Sequence, residues 1–379
     1  MGWKQALNAT LKFTIILQPK ISKLSKKILI IAPYPHNEAP SQRFRFEQYL
    51  KYFEEQGLEI SFAPFLNAKT WKTLYSEGNV AKKGFGVLRS FVKRFLLLFT
   101  LYKYDKIFIH REAAHIGPPF FEFLIAKVFR KKYIYDYDDA TWLPNYSETN
   151  ASFHRLKAYW KVKYCIKWAH HITPGNQYLA DYAAKYNKNI TIIPTTIDTI
   201  NHHNLETDYN DQKIVIGWTG THTTMRYLDF LVPIIAELEK KYDFDFLIIS
   251  NEAPTYHLKS LKYIKWNHTT EIQDLAKISI GVMPLEQDIW SEGKCGFKGL
   301  QYMALGIPAL MSPVGVNNQI LEDKVNGYLV KTPQEWKDCL EKLITDKELR
   351  IKIGQAGKQT IIERYSVLAN RDVYLNLLK

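Results

Sequence analysis

Short apolar runs separated by amphipathic stretches recur along the 379-residue chain. KKILIIAPYP (26–35) is an apolar run closed by prolines and predicts a buried first strand. SQRFRFEQYLKYFEEQG (41–57) follows with helical spacing, and Ser41 and Gly57 are its predicted cap and stop. LEISFAPF, DKIFIHR (105–111) and KKYIYDYDD (131–139) are further predicted strands, set among a basic helix pair near 66–103 and a helix near 118–131. HHITPGN and NITIIPTTID predict two more strands around a helix at 176–186. Strands that alternate with helices imply a parallel sheet covered on both faces.

DTINHHNLETDYNDQ (198–212) has no periodicity and reads as a linker. The alternation then restarts. KIVIGWTG runs as a strand into a glycine turn, and RYLDFLVPIIAELEKKY is a helix in which Pro233 is either tolerated or makes a kink. FDFLIIS, LKYIKW, ISIGVMPL and PALMSP are strands, and helices near 333–345 and 347–379 close the chain. The fold class is therefore α/β, with two Rossmann-like parallel-sheet domains. The predicted boundaries are an N-terminal extension over 1–25, a first domain over 26–200, a second over 201–358 and a final helix over 359–379. Ligands of such sheets lie beyond the carboxyl ends of the strands, so two facing domains share a central cleft.

Composition narrows the class. A 46% hydrophobic content fills two cores and excludes a disordered chain. Cys165, Cys295 and Cys339 lie far apart, which argues against a zinc site or disulfide framework and suits a reducing compartment. The longest apolar run, Phe95 to Tyr102, is well short of the roughly 20 residues that a membrane span needs. The first twenty residues show neither a signal peptide nor a myristoylation pattern. The net charge of +13 is uneven: residues 1–200 carry 30 Lys and Arg against 15 Asp and Glu, residues 201–379 carry 21 against 23. A basic first half suits an anionic surface or substrate, or else simply a lysine-solvated exterior.

The stretch GKCGFKGLQYMALGIPALMSPVGVN (293–317) concentrates the candidate chemistry. A helix N-terminus offers free N–H groups and a partial positive charge, a ready anion site. Lys298 and Gln301, three apart, share a face of its first turn. One cation and one amide at such a place suit a ligand with a phosphate and hydroxyls, such as a nucleotide sugar. Otherwise Lys298 is a solvated lysine, and MALGIPAL is core packing ended by Gly306.

KGLQYMALGIPALMSPVG, preceded by IGVMPLEQDIWSEGKCGF and followed by VNGYLV, resembles the donor-binding region of group 1 (family-four) retaining glycosyltransferases with the GT-B fold. IGWTGTHTTMRYL resembles the start of their second domain, and ITPGNQYLADYA with ITIIPTTID the end of their first. The likeness is collinear over residues 26–370, specific in the C-terminal run and looser before it. It implies a nucleotide-sugar donor in the second domain and an acceptor facing the first, with no cofactor and no metal. In the family, two glutamates with seven residues between them mark this region; here the positions hold Gly293 and Gln301, with Glu292 and Glu286 as possible substitutes for the first. By resemblance Lys298 and Arg226 neutralise the donor pyrophosphate, and Gly220, Thr221, Lys294, Phe297 and Gln301 contact the donor. Arg43 and Arg45 are expected to face an acceptor phosphate or the donor, or one of them is simply a surface charge, and the final helix is expected to pack back toward the first domain.

YDYDDATW (135–142) carries a D-x-D pattern, which holds a metal in the other glycosyltransferase fold. In GT-B proteins a sugar-touching histidine ends this strand; here Asp138 or Asp139 stands there, to bond a sugar hydroxyl, take a proton or merely cap a helix. His110, Arg111 and Glu112 end the preceding strand and are expected at the same cleft. Basic residues mix with large apolar ones in KKGFGVLRSFVKRFLLLFTLYK (82–103) and FHRLKAYWKVKYCIKW (153–168). This suits helices lying on anionic lipid, or equally the core-facing stripe of any Rossmann helix.

The combined expectation is a cytoplasmic, peripherally membrane-bound, metal-independent glycosyltransferase that acts on a glycan or lipid-linked glycan in cell-surface polysaccharide or glycoconjugate synthesis. A nucleotide-sugar epimerase of the same fold and a non-catalytic glycan- or partner-binding subunit are the alternatives. Nothing beyond charge matches a nucleic-acid module, and the sequence leaves the oligomeric state open.

Overall fold

The computed structural model describes residues 25–74, 78, 80–144, 154–205, 207, 209 and 213–379. The predicted N-terminal extension, apart from Ser25, and parts of the linker and of the 153–168 stretch lie outside the described residues. Among the described residues the first domain has five parallel strands in the order β2-β1-β3-β4-β5: β1 Lys26–Ala32, β2 Leu58–Pro64, β3 Lys106–His110, β4 Tyr133–Tyr137 and β5 His171–Pro174. The second has six in the order β11-β10-β9-β6-β7-β8. These are β6 Ile214–Gly220, β7 Phe244–Ser250, β8 Leu261–Lys265, β9 Ile280–Met283, β10 Ala309–Met311 and β11 Tyr328–Leu329. Every pairing is parallel.

The apolar runs become strands because both faces of each sheet are covered. Ile28, Ile30, Phe108 and Ile134 enter one cluster, while Leu29, Ile31, Ile109 and Tyr135 enter another on the opposite face. Each such fully buried side chain stabilises the fold by roughly 1.5–3 kcal/mol. Strand order reverses between β1 and β3 in the first sheet and between β6 and β9 in the second. Those switch points open crevices at the strands' carboxyl ends.

Several predicted elements differ. The helix expected over 41–57 is divided into Pro40–Arg43, a short turn Glu47–Tyr49 and Leu50–Glu55. Ser41 is not its cap: Ala39 precedes it, with Pro40 at its start and no side-chain cap. The Gln42 amide instead ties back to Tyr34 and Glu47, and Arg45 turns fully inward. Gly57, at φ +83°, follows the last turn as expected. Pro233 does not kink a long helix; it opens a shorter one, Val232–Leu238, where its missing N–H is harmless. NITIIPTTID runs beside β5 with one bridge, Ile172 to Ile190, rather than as a full strand.

The helix expected over 347–379 breaks in two. Lys347–Thr360 ends in a wide turn, and Ser366 caps a new helix, Val367–Leu378, by accepting from Ala369 N–H. The break redirects the chain onto the first domain. There Tyr374, Leu375 and Leu378 pack with Ile28, Tyr49 and Phe53. Among the described residues no helix is long and apolar enough to cross a membrane.

Candidate active site

A cavity of about 510 Å³ lies between the domains at both switch points. The second domain lines it with Thr219, Gly220 and Thr221 at the end of β6, with Met283 and Leu285 at the end of β9, and with the start of the helix Phe297–Ala304. The first domain contributes Phe44, Arg111, Asp138 and Asp139. Its floor is closed by Phe44 against Phe297, ring centroids 4.3 Å apart.

The helix Phe297–Ala304 presents its N-terminus to this cavity without a side-chain cap. Gly296 precedes it in the left-handed region, at φ +68°, which a residue without Cβ adopts at no steric cost. Lys298 is half-buried, with its ammonium 5.4 Å from the Trp218 ring. Burial, and then the neighbouring Lys294, push its pKa down to about 8. An anionic diphosphate beside it would restore the charge, so donor binding should take up a proton near that pH. Donor affinity is accordingly expected to fall as pH rises past about 8. Calorimetry at pH 8.5 in buffers of different ionisation enthalpy measures the uptake, and binding without any would exclude this linkage.

Gly220 lies directly beside the Lys298 side chain. A Cβ on it would meet the Trp218 ring at 2.5 Å and Lys298 Cε at 2.9 Å. Gly220→Val is therefore expected to displace the Lys298 stem and weaken donor binding at least ten-fold, as read by titration calorimetry.

The opposite wall is a chain of charges. Arg111, in the left-handed region at φ 57°, donates from Nε to Asp138 at 2.7 Å and lies 3.9 Å from Asp139. Asp139 in turn lies 3.5 Å from Lys294 of the second domain. Arg111 is held charged, because the two carboxylates outweigh its burial. The two carboxylates thus follow β4 at the cleft, and Asp139 bridges the domains through Lys294. Cys295 joins the same seam, its thiol 3.1 Å from the Asp138 carbonyl and pushed up to about 12, chiefly by burial.

Other expected residues are placed elsewhere. Arg45 is not at the cleft: it is fully buried against Asp136 and the Thr173 carbonyl. Arg43 is buried too and spans the domains to Glu271 at 2.6 Å. Arg226 is exposed, lies over Tyr227 and does not line the cavity; Thr224 and Tyr227 line it from that turn. Of the three residues ending β3, only Arg111 is at this cavity. His110 is fully buried on Asp136, and Glu112 pairs with Lys161 at 2.7 Å. Gln301 lines the cavity, but its amide also meets His203 Nε2 at 3.3 Å.

The two missing glutamates have a steric context. A Cβ on Gly293 would meet the Ala140 Cβ at 2.7 Å, so this domain packing has no room for a larger residue there. Neither Glu292 nor Glu286 lines the cavity; Glu271 and Glu38 do. Glu271, Trp266 and Asn251 were not singled out in the sequence. Asn251 and Trp266 directly follow β7 and β8, so the carboxyl-end rule applied to every strand would have found them.

A second cavity, of about 390 Å³, is lined by the first domain and by Trp290 of the second, and shares Arg111 and Asp139 with the first. Aromatic residues Tyr34, Trp71 and Tyr159 line it with Glu112, His115 and Lys161. Burial opposes ionisation of Glu112, but Lys161 and His115 overcome it and hold the carboxyl down at about 2.

Two doubly wound domains that face each other across their switch points make a GT-B fold. Residues 213–346, which lie in the second domain, match the family model described as Glycosyl transferases group 1. The fold is shared over 93% of this chain with a sucrose-phosphate synthase from Thermosynechococcus elongatus (98% of that chain, 13% identity, TM-score 0.66). A glycosyltransferase from Rickettsia africae matches over 94% of this chain and 98% of its own, at 13% identity and TM-score 0.64. HepE of Anabaena, in complex with UDP and glucose, matches over 93% and 99%, at 12% identity and TM-score 0.61. Among curated proteins, Glycosyltransferase 1 domain-containing protein 1 of Xenopus tropicalis is 30% identical over 79 residues. That match spans 21% of this chain and 23% of that protein.

Proposed function

We propose that the protein transfers a sugar from a nucleotide-sugar donor to a glycan or lipid-linked glycan, with retention at the anomeric carbon, in cell-surface polysaccharide or glycoconjugate synthesis. The observation that carries this is Lys298 on an uncapped helix start, facing an Arg111–Asp138–Asp139 wall across one inter-domain cleft. The donor diphosphate would lie between Gly220, Thr221 and Lys298, where backbone N–H groups and one cation meet the charge that grows as the glycosidic bond breaks. Its sugar would then extend toward Asp138, Asp139 and Lys294. UDP and glucose in the Anabaena structure of the same fold support a donor of this kind.

The leaving phosphate takes the acceptor proton in this reading, and Asp138 or Asp139 bonds the sugar. The acceptor would occupy the aromatic cavity, since that cavity meets the donor site at Arg111 and Asp139. This second chamber favours transfer over an epimerase, which needs no acceptor. The test is a thermal-shift screen of nucleotide sugars, followed by product analysis with the donor that stabilises. Transfer or hydrolysis supports the reading; epimerised donor alone, or binding without turnover, overturns it.

No metal enters this mechanism. The D-x-D carboxylates are already engaged by Arg45, Arg111 and Lys294. Among the described residues no group of three potential metal ligands forms. Activity is expected to be unchanged by EDTA; complete loss that manganese restores would return these aspartates to a metal site.

A further inference from the structure

The helix Val80–Leu98 carries two apolar faces, and the core uses only one. Ser90, Arg94 and Leu98 are buried, with Phe91 packed on Phe65 and Phe121. On another side, Phe85, Leu88, Val92, Phe95, Leu96 and Phe99 remain 46–70% exposed. At about 100° per residue these six occupy one sector of roughly 100°. The core-facing stripe that any Rossmann helix needs therefore does not account for them. Phe99 meets Phe129 edge-on at 6.4 Å, which extends the patch to the exposed Phe120, Phe123 and Phe129. A contiguous exposed apolar surface marks an interaction site.

Charge identifies what fits it. Lys82, Arg89 and Lys93 are exposed along one border of the apolar sector, and Lys127 and Arg130 are exposed beside Phe129. From Val80 to Lys103 the sequence contains no acidic residue, and Glu122, the one acid between Pro118 and Lys132, is buried. Arg94 belongs to the fold instead. Its guanidinium is buried, donates to the carbonyls of Ala113, Ala63 and Ala32, and is pushed down to about 10 by that burial. The stretch 153–168 contributes less than its composition implies, because Lys161, Val162, Cys165 and Ile166 face inward.

We infer that this face of the first domain docks on an anionic bilayer, with the phenylalanines and leucines in the interface and the lysines and arginines at headgroup level. A cationic rim around an apolar stripe, free of acidic residues, is complementary to a layer of anionic headgroups over acyl chains. The docking is independent of the catalytic reading, because it uses none of the cleft residues.

Flotation of the full chain with vesicles tests it. Strong binding is expected to vesicles of 30% phosphatidylglycerol in phosphatidylcholine, and little to phosphatidylcholine alone. Raising salt from 0.1 to 1 M shortens the Debye length from about 10 Å to about 3 Å and should weaken the binding. Lys82→Gln, Arg89→Gln and Lys93→Gln together should reduce it about a hundred-fold, at roughly five-fold per charge. Leu88→Glu with Phe95→Glu should abolish it, with the melting temperature and donor binding unchanged. Equal binding to neutral vesicles, no binding to either, or burial of the face in a dimer seen by analytical ultracentrifugation would each overturn the inference.

Discussion

Lys298→Ala is expected to lower transfer by roughly two to three orders of magnitude, the range typical of losing one preorganised group that stabilises developing charge. The cause is specific to its place. The side chain is half-buried on the first turn of an uncapped helix, close to Trp218 and Gly220, where water screens a phosphate poorly. The same burial makes the stability outcome opposite in sign. Its pKa is about 8 in the folded chain against an ordinary 10.5, so the folded state binds fewer protons than the unfolded one between these values. Stability contributed by this group rises with pH across that window, and its cost is fully present below about pH 8. Removing the ammonium should therefore leave the melting temperature at pH 7 unchanged or raised. A variant that retains wild-type turnover would remove Lys298 from the mechanism; one that unfolds would show that it serves packing instead.

Asp136→Ala is expected to have the largest effect on the fold. This fully buried carboxylate accepts from Arg45, from Thr173 Oγ1 at 2.8 Å and from Tyr374 OH at 3.1 Å, and lies 2.7 Å from His110 Nδ1. It ties β4 to β3, β5, the segment after β1 and the final helix. Burial alone would raise its pKa, but the Arg45 guanidinium and His110 hold it well below the carboxylate range. Its contribution is thus complete above the unfolded value near 3.9 and is lost only as pH falls through a much lower folded value. Truncation leaves Arg45 as a buried, uncompensated charge, at a cost of about 3–5 kcal/mol. Against a total stability of about 5–15 kcal/mol, the variant should unfold at far lower urea or fail to accumulate. Asp139→Asn, three residues on, should unfold like wild type while losing transfer. Urea melts within 1 kcal/mol of wild type for Asp136→Ala would show that Arg45 finds another partner.

These neighbours show why the D-x-D pattern was only partly legible. The alternation of side chains along β4 sends Asp136 into the interior, while Asp138 and Asp139 lie beyond its end. The letters are the same, but only the ladder register and the loop after it separate a structural carboxylate from two cleft residues. Arg43 and Arg45 divide similarly. Both read as helix-start cations, yet one spans the domains to Glu271 and the other is buried under the sheet.

What the sequence determined by itself was whatever depends on local pattern. Short apolar runs set between amphipathic stretches dictated ten of the eleven strands found among the described residues, and two parallel sheets. The glycine-broken approach to Lys298 marked the helix start at the cleft, because an uncapped N-terminus and a glycine in the left-handed region are encoded within a few residues. The two-residue β11 was too short to carry a periodic signal. What the tertiary structure decided was whatever depends on which surfaces meet. The packing of Gly293 on Ala140, the seam from Asp139 to Lys294 and the return of the final helix to the first domain all join residues more than a hundred positions apart. The helix Val80–Leu98 makes the same distinction within one element. Its periodicity announced an apolar stripe, but only its burial against Phe65 and Phe121 showed that a second stripe was left uncovered.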